Sequence, residues 1–158
     1  SESPIFDIKK LEWMNGEYIR MMYNKTLKST LVDFYKEDRD VTSFIQENSK
    51  TLNPILSLAK TRMKTLKDFK NLVVSKIPEL STLEKNIAKT LFEKFSSIGN
   101  WNKESILNSM KEVLDENKIK GNVLYKIITG VETGLPLPET LEILGKEKTL
   151  DKIKSSID

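Results

Sequence analysis

Apolar residues recur every three or four positions along almost the whole chain, and this spacing restricts the possible folds more than any other feature. Leu83, Ile87 and Leu91 show the pattern, and Ser81 with Glu84 forms a capping box in front of them. β-Branched residues do not cluster and strand-like alternation is scarce, which argues against a sheet. Caps and glycines divide the pattern into about eight to ten short helices. The sequence therefore predicts an all-α fold.

Local signals predict where several helices begin and end. Asn53 is expected as an N-cap with Pro54 as the first helical residue. Glycine is expected just beyond the ends of three helices, at Gly99, Gly130 and Gly145.

The best candidate for a domain boundary is the proline break at Ile77-Pro78, which comes shortly before the Ser81 cap. Charge changes at the same place, because residues 1–79 have a net charge of +3 and residues 80–158 have none. We therefore expect two small helical subdomains, 1–79 and 80–158, of which the first is the more basic.

The residue inventory excludes many kinds of chemistry. The chain has no His and no Cys, which rules out His-based triads, thiol nucleophiles, disulfides and the usual zinc sites. The glycines form no phosphate-binding loop and the carboxylates lack metal-ligand spacing, so we expect neither catalytic nor metal-binding residues. No apolar run approaches the roughly 18 to 20 residues that span a bilayer. The chain begins with Ser-Glu-Ser-Pro rather than Met, and we expect it to be a piece of a longer protein.

The basic excess of the chain is concentrated in residues 60–76. This segment contains six Lys and Arg residues and one acid, a net charge of +5, whereas the remainder of the chain has a net charge of −2. A focused positive segment suits a polyanion such as the phosphate backbone of a nucleic acid. A solvated helix face explains the same composition, and composition alone favours that explanation.

A second unusual segment lies between Ile127 and Gly145. Gly130 and Gly134 bracket a turn that leads into Leu135-Pro136-Leu137-Pro138. Exposed Leu and Pro beside glycine would give apolar surfaces on which unstacked bases can rest. A plain connector with proline opening the next helix fits the same spacing.

Taken in order, four stretches resemble a known family. They are Phe6–Arg20, Thr61–Phe69, Ile128–Gly130 and Leu141–Glu147. Together they resemble the C-terminal anticodon-binding half of bacterial glutamyl-tRNA synthetase, a class I enzyme. The resemblance implies two helical parts that form a cage around the anticodon stem-loop of tRNA(Glu). Such an enzyme attaches glutamate to its tRNA with ATP in the cytoplasm.

The resemblance also implies a division of labour within the longer enzyme. Neither ATP-binding signature of the catalytic half, His-Ile-Gly-His or Lys-Met-Ser-Lys-Ser, occurs in this chain. We therefore expect the chain to bind tRNA as a monomer and to need no cofactor. ATP and Mg²⁺ would be used by the missing catalytic domain.

Two groups of tRNA-binding residues follow from the resemblance. Arg62 occupies the position where family members place an arginine against the first anticodon base, and its donors suit the acceptors of a cytosine or uridine edge. Phosphate contacts are expected from neighbouring lysines, namely Lys60, Lys64 and Lys67.

The second group departs from the family pattern. Where the family usually has an arginine for the later anticodon bases, this chain has Tyr125, followed by Lys126. Tyr125 could stack on a base while Lys126 supplies charge, or the contact could be lost. Base-packing positions are expected at Gly134, Leu135 and Leu137.

Two alternatives stay open at this point. One is the helical domain of a related synthetase, either a class I lysyl enzyme or a glutamyl enzyme that also accepts tRNA(Gln). The other is a protein-interaction module that docks a partner on the Leu-Pro segment.

Overall fold

A computed structural model describes residues 14–158 of the chain, and these residues confirm the all-α prediction. The described residues form helices joined by turns and contain no strand. Helix α1 covers residues 14–21 of the described part. The remaining helices are α2 (Asn24–Phe34), α3 (Arg39–Glu47), α4 (Leu52–Lys60), α5 (Asp68–Val73), α6 (Thr82–Ser96), α7 (Lys103–Asn117), α8 (Gly121–Thr129), α9 (Leu137–Leu144) and α10 (Lys146–Ile157). Most of the stretch Phe6–Arg20, including Trp13, lies outside the described residues.

The chain divides into two compact units, Ser1–Val74 and Ser75–Asp158. The expected boundary at residues 79 and 80 falls inside the second unit. A backbone hydrogen bond ties the residues after α5 to the second unit, because the Lys76 amide donates to the Thr129 carbonyl at 2.9 Å. The extended residues after α5 are thereby joined to the end of α8 before α6 begins.

In the first unit, α2 packs against α4 and α3 packs against α5. The core is formed by side chains that are almost completely inaccessible to solvent, including Leu27, Leu31, Val41, Leu56, Ala59, Met63 and Phe69. Phe69 lies near the rings of Tyr35 and Phe44, with ring centroids 6.2 Å apart in each pair. Burial of these side chains fixes the connections between the helices, including the one that joins α4 to α5.

In the second unit, α6 is the central helix and packs against α7, α8 and α10, while α7 also packs against α9. Its core includes Ile87, Leu91, Phe95, Ile106, Leu124, Ile127 and Ile153. The predicted capping box is confirmed, since Ser81 Oγ accepts from the Glu84 amide and Glu84 Oε1 accepts from the Ser81 amide. The predicted helix-ending glycines Gly130 and Gly145 are also confirmed.

Two local predictions are wrong, and in both cases a tertiary contact explains the difference. Helix α6 ends at Ser96 rather than next to Gly99, because the Lys146 ammonium donates to the Ser96 and Ile98 carbonyls at 2.8 and 2.7 Å. Helix α4 begins at Leu52, so Asn53 is a helical residue instead of the cap. The Asn53 side chain accepts a hydrogen bond from Asn24 of α2 at 2.8 Å.

Candidate functional site

The connection between α4 and α5, residues 61–67, contains three exposed cations of the basic segment. We call it the basic junction. Arg62, Lys64 and Lys67 are exposed, whereas Met63 is completely buried. The amides of Arg62 and Met63 both donate to the Ala59 carbonyl at 3.0 Å, which continues the last turn of α4. Burial of Met63 thus anchors the backbone between two exposed cationic residues.

Asp68, the one acidic residue in the segment 60–76, forms hydrogen bonds with the backbone of the basic junction. Its Oδ2 atom accepts hydrogen bonds from the Lys64 amide at 2.8 Å and from the Thr65 amide at 3.0 Å. Hydrogen bonds from backbone amides to a carboxylate are charge-assisted and therefore strong. Asp68 therefore holds the turn in shape while the ammonium groups of Lys64 and Lys67 stay on the surface.

Tyr35 of the first unit fixes the other end of the junction. Its hydroxyl donates to the Leu66 carbonyl at 2.6 Å and accepts from the Lys70 amide at 3.3 Å. Burial is the main cause that raises the pKa of Tyr35 above its ordinary value. The role of Tyr35 could not be predicted from the sequence, because 31 positions separate it from Leu66 and no local pattern links them.

Two other cations of the basic segment have structural partners. The Lys70 ammonium pairs with the Asp38 carboxylate at 2.7 Å, and this hydrogen bond raises the pKa of Lys70 and lowers that of Asp38. Asp38 also caps α3 by accepting from the Val41 amide. Lys60, a predicted phosphate contact, donates from its ammonium to the Met22 carbonyl after α1.

The residues of the second predicted group lie in the second unit, around the end of α8. The half-buried Tyr125 donates from its hydroxyl to the Leu135 carbonyl at 2.7 Å. The Lys126 ammonium lies 3.0 and 3.1 Å from the two carboxylate oxygens of Glu84. The hydrogen bond from the Ser81 amide of the capping box is the largest cause that lowers the pKa of Glu84, and the hydrogen bond from Lys126 is the second largest.

The sequence left two interpretations of the Leu-Pro segment open, and the structure contradicts the one in which its leucines are exposed. Leu135 and Leu137 are only 6% and 3% exposed, and Gly134 is also buried. Leu137 is the first residue of α9 and packs into the core of the second unit together with Leu141. Leu137 and Leu141 thus belong to the apolar face of α9, which packs against α7, while Leu135 is buried just before the helix begins.

The first group lies at the end of α4 and on the basic junction, and the second group lies around the end of α8 and the start of α9. Arg62, Lys64 and Lys67 lie on one connection, with Lys60 at the end of the preceding helix. Among the described residues, no cluster of acidic side chains could hold a metal ion. No helix in the described range 14–158 is both long and apolar enough to cross a lipid bilayer.

Comparison with known proteins shows the family to which the chain belongs. Residues 24–157 match the model of the anticodon binding domain family, so the chain belongs to that family. The chain is 35% identical to a glutamate–tRNA ligase of Clostridium tetani and 34% identical to one of Clostridium botulinum, each over 98% of its length. These matches confirm the family predicted from the sequence.

The matches also show that the relatives are longer. The chain spans about a third of their length, since 34% of each Clostridium ligase is covered. A crystal structure of a glutamate–tRNA ligase from Elizabethkingia meningosepticum covers 92% of the chain with a TM-score of 0.62 and 22% identity. The chain covers 31% of that protein, and the likeness shows a shared fold.

Proposed function

We propose that this chain is the anticodon-binding part of a glutamate–tRNA ligase and that its basic junction binds the anticodon stem-loop of tRNA(Glu). The observation that supports this is the exposure of Arg62, Lys64 and Lys67 on one connection fixed by Asp68, Tyr35 and the buried Met63. Family membership adds the expected ligand, because the matched family is one of anticodon binding domains.

Within this proposal the three cations have two different roles. The Arg62 guanidinium presents donors in a fixed fork, which suits the acceptor atoms of a cytosine or uridine edge at the first anticodon position. Lys64 and Lys67 neutralise phosphates and so fix the position of the loop without distinguishing its bases. Lys60 is the last residue of α4, directly before the basic junction, and its ammonium donates to the Met22 carbonyl.

We propose that a second group of residues packs against the later anticodon bases. It consists of Tyr125, Lys126, Gly134, Leu135 and Leu137. Their side-chain hydrogen bonds and burial give this region a fixed shape, so we assign direct contact chiefly to the Tyr125 ring and the Lys126 stem. ATP and Mg²⁺ would act in the rest of the longer enzyme, where the resemblance places the two ATP-binding signatures that do not occur in this chain. We also propose that the protein acts as a monomer in the cytoplasm.

Filter binding of the chain to the tRNA(Glu) anticodon stem-loop at several salt concentrations tests the proposal. We expect affinity to fall steeply with salt, and to be higher for tRNA(Glu) than for a stem-loop with a purine at the first anticodon position. A flat salt dependence, or equal affinity for both RNAs, would overturn it.

Variants at the junction distinguish the two roles. Arg62→Ala should weaken binding by about 1–3 kcal/mol and reduce the preference at the first anticodon base, whereas Arg62→Lys keeps the charge and should lose only the preference. Lys64→Ala should lower the salt slope by about one and leave the ranking of RNAs unchanged. Lys111→Ala, which removes an exposed lysine of α7, is the matched control and should change neither property. Equal weakening of every RNA by Arg62→Ala would make Arg62 a phosphate contact.

A further inference from the structure

A groove in the first unit lies directly beside the basic junction. It has a volume of about 420 Å³ and is formed by α1, the end of α2 and the junction residues Thr65, Leu66 and Lys67. Tyr18 and Phe34 line it together with Ile19 and Met22. This volume falls in the range of sites that bind small organic groups.

The groove presents aromatic surface to solvent. Tyr18 is 71% exposed and Phe34 is 46% exposed, which is unusual for such large apolar side chains. The Phe34 ring makes an edge contact with Tyr35, with ring centroids 4.8 Å apart, and Tyr35 in turn binds the Leu66 carbonyl. One aromatic wall is therefore fixed to the junction, and the other, Tyr18, is accessible on α1.

The charges around the groove suit a polyanion. Among the described residues that line it, the charged one is Lys67, and there is no carboxylate. Arg62 and Lys64 extend the positive charge along the same connection. Aromatic side chains next to a cationic track are the arrangement with which proteins bind single-stranded nucleic acids, because each base offers a flat face and each linkage a negative charge.

We propose that this groove binds one unstacked base of the RNA loop that the basic junction holds. Tyr18 stacks on the base, Phe34 forms the fixed wall behind it, and Lys67 binds the adjoining phosphate. This inference rests on the proposed function and adds to it a base-binding subsite formed by α1, the end of α2 and the basic junction.

The test uses the whole chain and the tRNA(Glu) anticodon stem-loop, with binding measured by fluorescence anisotropy. Tyr18→Ala should weaken binding roughly 5- to 150-fold, the range given by loss of one base–aromatic stack, and leave the salt slope unchanged. Tyr18→Trp should retain the affinity. Lys67→Ala should instead reduce the salt slope by about one. The control is Tyr23→Ala, since Tyr23 is 84% exposed but does not line the groove.

Stem-loops in which one loop base at a time is replaced by an abasic site identify the bound base. At the position that occupies the groove, the abasic RNA should bind wild type weakly, and Tyr18→Ala should cause no further loss. Additive losses at every position would overturn the subsite, as would equal affinity of wild type and Tyr18→Ala. If wild type shows no salt-dependent binding to any stem-loop, the proposed function fails first and the subsite fails with it.

Discussion

The Lys76 carbonyl oxygen occupies the place where a side chain on Gly130 would begin. A Cβ atom at Gly130 would lie 1.8 Å from that oxygen, and Gly130 has a φ of +80° that side chains disfavour. The hydrogen bond from the Lys76 amide to Thr129 holds the two segments at this distance. The end of α8 and the segment before α6 can therefore approach this closely only because residue 130 is glycine.

Gly130→Ala should destabilise the second unit by about 2 kcal/mol or more, because the left-handed backbone alone costs about 1–2 kcal/mol and the segment containing Lys76 must also move. Urea unfolding followed by Trp101 fluorescence in a Trp13→Phe background measures this effect, since the chain has two tryptophans. Gly121→Ala is the matched control, because a Cβ there would meet nothing within 4 Å. Equal stability of Gly130→Ala and wild type would contradict the close approach.

Asp38→Asn should destabilise the first unit near pH 7 and have little effect near pH 2. Asn is also a good N-cap, so the substitution removes mainly the ion pair with Lys70. The pKa of Asp38 is lowered in the folded state, so its contribution is present above the unfolded pKa and is lost as pH falls through the folded pKa.

The same pair predicts the behaviour at high pH. The pKa of Lys70 is raised, so its contribution is complete below the unfolded pKa and is lost as pH rises through the folded pKa. Urea midpoints of wild type and Asp38→Asn should therefore converge at both extremes. The two side chains are partly exposed, so added salt should also reduce the difference. A constant difference between pH 2 and pH 7 would show that the ion pair does not contribute.

Tyr125→Phe should destabilise the second unit by about 1 kcal/mol, because the Leu135 carbonyl loses its hydrogen-bond donor. The ring remains, so affinity for the anticodon stem-loop should be kept if the ring stacks on a base. Tyr23→Phe, at an 84% exposed position, is the stability control. An unchanged midpoint for Tyr125→Phe would argue that water replaces the hydroxyl at no cost.

Asp68→Ala should weaken the discrimination between anticodon stem-loops even though it removes a negative charge from a basic surface. Charge alone predicts tighter RNA binding for this variant. Loss of the two hydrogen bonds to the Lys64 and Thr65 amides predicts a looser junction and a misplaced Arg62. Competition binding with first-position variants of the RNA measures the preference, and Asp68→Asn, which keeps an acceptor oxygen, should retain more of it. A tighter and equally selective Asp68→Ala would contradict the positioning role.

Helix starts that depend on neighbouring residues were predictable from the sequence. Ser81 and Glu84 are three positions apart and bond each other's amides, so no distant residue is needed. Gly99 failed as a helix end because Lys146, far along the chain, donates to the carbonyl of Ser96, the last residue of α6, and to that of Ile98 just beyond it. A cap supplied by a distant side chain leaves no local signal.

In the candidate site, too, local composition was predictable from the sequence and contacts between distant residues were not. The sequence located the concentration of charge at residues 60–76 but could not tell which cations extend into solvent. Lys70 was indistinguishable from Lys67 until the structure placed Asp38 at 2.7 Å from its ammonium. The spacing of the Leu-Pro segment fitted both an exposed apolar surface and a plain connector, and only the tertiary structure showed that its leucines are buried.

By itself, the sequence determined the helical class, the family and the segment where positive charge gathers, because spacing, caps and composition act over a few residues. Only the tertiary structure decided which side chains are paired, buried or exposed. Several of those outcomes depend on partners 30 or more positions away, such as Tyr35 with Leu66 or Lys126 with Glu84. Burial and hydrogen bonding between distant residues arise when helices pack, and a linear pattern does not specify which faces meet.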